Sequence, residues 1–169
     1  MQESYQINGI DFAKYNPEID WSGKYFDSYS EVANIKNRAG VYAFTLCNEI
    51  VYVGSSTNLF GRLQTHIAHI NSKTNRTSKS VERKKYYYLK KYISHVKFKV
   101  LDVYPDNISK EQLETYEYEY ICKYNPIFNI KLKDSIQIWC GTEQNIEDFV
   151  KGLLTIDDLT KMKFKGEQL

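Results

Sequence analysis

From Gly40 to Leu46 the chain is almost wholly apolar or aromatic. After a polar break at Cys47-Asn48-Glu49, Ile50-Val51-Tyr52-Val53 takes the same character up again. β-Branched and aromatic residues on both sides of a short break predict an antiparallel hairpin. Gly54 follows, where a turn would suit a residue without a Cβ. Ser55, Ser56, Thr57 and Asn58 are all good N-caps, and Leu59, Leu63, Ile67 and Ile70 behind them recur at helical spacing. Arg62 and His66 are four apart, so they share a neighbouring face of that helix and can meet one object together. Asn71–Ser80 is polar and aperiodic, and reads as a mobile loop. Val81–Ser94 predicts a second helix with Tyr88, Leu89, Tyr92 and Ile93 facing inward and Lys84, Lys85, Lys90 and Lys91 left wet. Adjacent residues on a helix point in different directions, so at least one of Tyr86, Tyr87 and Tyr88 belongs to the core. Val96–Leu101 alternates apolar with basic, as a strand with one dry face does, and Pro105-Asp106-Asn107 breaks it.

The third helix has the sharpest pattern. Ser109 caps it, and Gln112 completes a capping box. Leu113, Tyr116, Tyr120, Ile121 and Tyr124 form its apolar stripe. At about 100° per residue, Glu117 falls only about 40° from Leu113, while Glu119 points nearly the opposite way and Glu111 and Glu114 lie on the flank or outside. One carboxylate is thus pushed toward the interior, where it needs a cation, a metal or strong donors. An ordinary ion pair would meet that need as well. Asn125-Pro126 ends the helix, and Ile127–Ile130 is expected to run on extended, with Asn129 polar among apolar neighbours.

The ends are less regular. Residues 1–38 scatter aromatics without a period and suggest an extended segment wrapping the domain, with a short helix near Ser30–Asn37, or else an interaction arm. Ser135–Trp139 suggests a strand. Ile146, Phe149, Val150, Leu153 and Leu154 are spaced as on an amphipathic helix, and Thr155–Met162 as on a last short one.

Length and charge narrow the function. At 169 residues the chain is one domain, or one domain with tails. No apolar run reaches the roughly 20 residues of a membrane helix, and no secretory leader is visible, so no membrane partner is expected. Cys47, Cys122 and Cys140 have no paired close spacing, which speaks against a disulfide framework or a zinc module and for a reducing, intracellular compartment, cytoplasmic or nucleoid-associated. The net charge of +2 is unevenly spread: residues 61–100 carry +10 and the rest −8. A basic centre with an acidic periphery suits a protein that lays one face on a polyanion. A lysine-rich solvated surface is the plainer alternative.

Taken together, Gly40-Val41-Tyr42, Tyr52-Val53-Gly54, Arg62 and His66 on the first helix, Glu117 on the third and Asn129 after the proline resemble the GIY-YIG endonuclease family over residues 39–131. The two tripeptides alone would be weak, and with 15 tyrosines a single one means little. Six polar positions in order on the expected elements are far more specific. Valine stands for isoleucine in both tripeptides, which keeps β-branching. The resemblance implies an α+β fold, a small mixed or antiparallel three-stranded sheet flanked by helices, with extensions at 1–38 and 132–169. It implies hydrolysis of DNA phosphodiesters, with Tyr42 as the leading general base and Tyr52 as its partner, or the reverse. Arg62 would grip the scissile phosphate, His66 would orient a tyrosine or share in proton transfer, and Glu117 would hold Mg²⁺ or Mn²⁺. Asn129 would buttress the site. Some members carry a further His or Tyr after the first helix, which Lys73–Tyr88 does not place unambiguously. Lys73, Arg76, Lys79, Arg83, Lys84 and Lys85, with Arg62, would hold the phosphate backbone. The partner is then DNA, with a homodimer as one way to gain specificity. A restriction, mobile-element or phage enzyme is the leading expectation; a DNA-binding module without catalysis and a structure-directed repair nuclease are the alternatives.

Overall fold

A computed structural model of the chain describes residues 6–7, 10–11, 21–26, 35, 37–73, 81–129 and 147–155, apart from the side chains at 6–11 and 81–84. The expected elements at Ser135–Trp139 and beyond Thr155, and nearly all of the one near Ser30–Asn37, lie outside the described residues. The strands are β1 (Gln6–Ile7), β2 (Ile10–Asp11), β3 (Tyr25–Phe26), β4 (Ala39–Leu46), β5 (Glu49–Ser56) and β6 (Val96–Tyr104). The helices are α1 (Leu59–Asn71), α2 (Val81–Lys91), α3 (Lys110–Tyr124) and α4 (147–155). β1 and β2 pair with each other, and the other four strands form one antiparallel sheet in the order β3-β6-β4-β5. The fold is therefore α+β, as expected, and among the described residues its main sheet has four strands. The fourth, β3, pairs Phe26 with Phe98 and is too short to carry a readable alternation.

The hairpin closes more tightly than its polar break suggests. Leu46 pairs with Glu49, and both residues between them, Cys47 and Asn48, have positive φ, 50° and 68°. That is the backbone a two-residue turn needs to follow the twist of its strands. β4 is central and every residue of it is buried. Its alternation divides the core in two. Tyr42, Phe44 and Leu46 join Leu59, Leu63, Ile70, Leu89 and Phe98 under α1 and α2, while Val41 and Ala43 join Val53, Leu101 and Ile121 under α3. Ile35 and Val150, from the segments that flank residues 39–131, are fully buried in the first of these clusters, and Lys91 Nζ lies on Glu147 at 2.8 Å.

The capping box of α3 is complete, with Ser109 and Gln112 exchanging hydrogen bonds at 3.1 Å, and Asn125 in the left-handed region (φ 44°) ends the helix ahead of Pro126. Three local expectations change. Tyr124 is 40% exposed and Ile93 55%, so neither packs as its stripe suggested. Ile127 and Phe128 form a turn, in which Asn129 N–H reaches the Pro126 carbonyl, rather than an extended run. Gly54 lies inside β5, opposite Tyr42, and not in a turn.

The reason for Gly54 is steric. A Cβ there would stand 2.5 Å from the Tyr42 hydroxyl and 2.7 Å from its Cζ, because the phenol lies across the glycine. Overpacking a buried site in this way costs about 1–3 kcal/mol. Gly54→Ala should therefore lower the urea midpoint of unfolding at unchanged slope; an unaltered midpoint would mean that the Tyr42 ring moves aside freely.

Candidate active site

Tyr42 reaches from the centre of β4 toward α1, and its hydroxyl is where the site converges. Arg62 Nε–H donates to it at 3.3 Å, and His66 Nε2 lies 2.6 Å away. The two α1 residues do meet one object, as their spacing implied, and that object is Tyr42. Phe98 stacks on the ring at 5.2 Å between centroids. Tyr42 is fully buried, and burial, with Tyr52 and then Glu117 adding to it, pushes its phenol well above the usual range against the pull of Arg62.

His66 is not the surface histidine that an isolated helix position would suggest. It is fully buried, with Phe44 edge-on at 5.2 Å, and its Nδ1 lies 2.9 Å from the Tyr86 hydroxyl. A neutral imidazole satisfies the chain in either tautomer: one ring nitrogen accepts from the phenol on its side and the other donates to the phenol on the far side, while Arg62 donates to the Tyr42 oxygen. Burial first, then the charges of Lys85, Arg62 and His69, lower the imidazole from 6.5 to about 2, so it is neutral under ordinary conditions. It can orient Tyr42 but holds no acid proton to give away.

Tyr52, ten residues on in β5, is half-buried. Burial and the Glu117 carboxylate raise its phenol, while Arg62 and a hydrogen bond with Tyr42 act in the other direction. Glu117 comes from the opposite face of the sheet: α3 presents it to β5, where Ser55 Oγ–H donates to Oε2 at 2.6 Å. Its helical phase had singled it out, and its charge now bears on both phenols. Asn129 braces the same strand from its edge. Its Oδ1 accepts from Val53 N–H and its Nδ2 donates to Val53 C=O, both at 2.7 Å, so one amide does the work of a neighbouring strand between Tyr52 and Gly54.

Tyr42, Tyr52, Arg62 and His66 are therefore joined by hydrogen bonds, Glu117 acts on both phenols through its charge, and Asn129 braces the strand that carries Tyr52. The phosphate-binding set is less uniform. Lys73 is exposed as expected. Arg76 and Lys79, and the side chains of Arg83 and Lys84, lie outside what is described. Lys85 departs from expectation: it is only 2% exposed and belongs to the interior. Its position three before Tyr88 and four before Leu89 placed it on the buried stripe of α2, a signal its charge obscured. Tyr86, the hydrogen-bond partner of His66, was also missed.

Among the described residues no group of three His, Cys, Asp or Glu side chains is placed to cage a metal. Glu117, carrying a hydroxyl donor on one oxygen, nonetheless fits Mg²⁺, which is commonly held by one or two carboxylates with waters and phosphate oxygens completing its shell.

The neutral His66 ties stability to pH. Its folded value lies below its unfolded one, so its contribution is complete above about 6.5 and is lost as pH falls toward 2. Between pH 6 and 4 this group alone should steepen the loss by about 1.4 kcal/mol per pH unit. Urea unfolding of wild type and His66→Gln across that window should show the smaller slope in the variant; parallel slopes would mean that the imidazole is protonated in the native protein.

No curated protein matches the chain. Among solved structures it is similar to the GIY-YIG N-terminal endonuclease domain of UvrC from Thermotoga maritima bound to magnesium, at 18% identity and TM-score 0.41, covering 62% of this chain and 99% of that one. A point mutant of the same domain bound to the catalytic divalent cation matches at 17% identity and TM-score 0.40, over 60% and 93% of the two chains. The model of the GIY-YIG catalytic domain matches residues 38–131, more than half of the chain, and the protein belongs to the GIY-YIG family.

Proposed function

We propose that this protein is a DNA endonuclease that hydrolyses phosphodiester bonds with the help of a divalent cation. The observation that carries the reading is the Tyr42 hydroxyl shared by Arg62 and His66, with the charge of Glu117 bearing on both phenols. A guanidinium, two phenols and a carboxylate at one place suit a phosphate that must be gripped while a water is deprotonated beside it. Lys73, Lys90 and Lys97 are exposed within a stretch, residues 61–100, whose sequence carries +10, and they offer charge to a nucleic-acid backbone.

The difference in burial supports one division of roles between the two tyrosines. Tyr42 is fully buried and its hydroxyl is taken up by Arg62, His66 and the face of Gly54. Tyr52 is less buried than Tyr42 and hydrogen-bonds the same guanidinium, which favours it as the phenol that meets the attacking water. We assign Tyr52 as the general base and Tyr42 as the fixed partner that orients it. Arg62 donates to Tyr42 and also hydrogen-bonds Tyr52, and the rest of its five N–H donors would be left for phosphate oxygens. Glu117 would hold the cation, which would cancel the carboxylate's repulsion of a phenolate and polarise the scissile phosphate. Ser55 fixes the carboxylate rotamer, and Asn129 fixes the strand that carries Ser55 and Tyr52.

Supercoiled plasmid incubated with Mg²⁺ tests this. Wild type should nick or linearise it, while Glu117→Ala and Arg62→Ala, folded and still binding DNA, should be slower by about 10³-fold or more. Plasmid left intact by wild type over a range of substrates, or variants that lose folding and cleavage together, would contradict the reading.

A further inference from the structure

Lys85 is the feature of the site that its signature residues do not account for. Among the described residues, four buried side chains are polar or charged: Thr45, His66, Lys85 and Asn129. Lys85 is the one that brings a long cationic side chain inside, which is rarely tolerated without compensation. Its Nζ lies 3.7 Å from the centroid of the Tyr52 ring and 4.7 Å from that of Tyr86. A cation seated on the faces of two phenols is attracted by both rings, and more strongly where water is excluded. A lysine needed only for backbone contact with DNA would gain nothing from this position.

We propose that Lys85 is a positioning residue for catalysis: from α2, its buried ammonium clamps the rings of Tyr52 and Tyr86 around His66 and sets a fixed positive charge against the phenol that accepts the proton from water. The inference rests on the nuclease reading and on Tyr52 as base. A phenolate forming on Tyr52 sits against this cation from the moment it appears, with no reorganisation of solvent. Lys85 also opposes protonation of His66, together with Arg62 and His69, so the imidazole stays a hydrogen-bond partner of Tyr42 and Tyr86. The other groups acting on Tyr52 are Arg62 and Tyr42, which favour its anion, and Glu117, which disfavours it. Lys85 therefore works on the same side as Arg62, from the ring face instead of from the oxygen.

The test is the pH dependence of cleavage by full-length Lys85→Met, which keeps the length of the side chain and removes its charge, at saturating Mg²⁺. The rising limb of kcat should move up by about one pH unit or more, with kcat about tenfold lower at a pH on that limb and KM for DNA within about twofold of wild type. Should the Met variant fail to fold by circular dichroism, Lys85→Gln takes its place with the same expectation. In parallel, NMR of ¹⁵N-histidine-labelled protein should show His66 titrating at higher pH in the variant. A variant with an unchanged pH profile and kcat, or one that changes KM alone, overturns the role assigned to Lys85 and leaves the nuclease reading standing. Wild type inactive on every DNA overturns the nuclease reading, and this inference with it.

Discussion

The structure depends on one close approach: the phenol of Tyr42 packed where a Cβ on Gly54 would stand. The two strands must be in register for this to occur, with Tyr42 opposite Gly54 and Phe44 opposite Tyr52. A slip of one residue would turn every side chain of β4 to the other face and carry Tyr42 away from α1. Seen this way, the two tripeptides are halves of a single contact. One supplies a ring, the other the missing Cβ that leaves room for it. Once the phenol is seated, its oxygen is delivered to the one face of α1 that carries both Arg62 and His66.

The charges around that oxygen are arranged in opposition. Burial and Glu117 disfavour a phenolate, whereas Arg62 favours it. A resting site of this kind keeps its phenols protonated and its imidazole neutral, and so holds little stored charge of its own. The balance is one that a cation at the carboxylate would tip. On the nuclease reading a single carboxylate would be enough: its task would be to bring one positive charge to a place already supplied with hydrogen-bond donors. The same reasoning explains Asn129. An edge strand that carries two site residues cannot be left to fray, and a buried amide bonded to both polar groups of Val53 holds it without adding charge.

How much of this could be read beforehand follows from the length scale of each signal. The hairpin, α1 and α3 are governed by local periodicity and caps, and were legible. Glu117 was legible as well, since helical phase alone separates it from Glu119. Gly54 was misjudged because its reason lies on another strand, twelve residues earlier, and appears only once the register is known. β3 has two residues, too few for any period. Lys85 was legible in phase but not in character: its spacing from Tyr88 and Leu89 put it on the buried stripe, while its charge argued for solvent. Two aromatic faces lie against its ammonium, and these come from β5 and from α2 itself. The link from His66 to Tyr86 joins two helices through side-chain tips, which no one-dimensional pattern encodes.

If Tyr42, His66 and Arg62 act as one unit, their contributions to the chemical step cannot be independent. The most direct test is a double-mutant cycle on single-turnover cleavage of duplex DNA, using Tyr42→Phe, His66→Gln and the two together. The account predicts that the double variant is barely slower than the worse of the single ones, because either change already breaks the same hydrogen-bonded chain. Rate losses that multiply across the two substitutions would show that the hydroxyl and the imidazole serve separate purposes, and would contradict it.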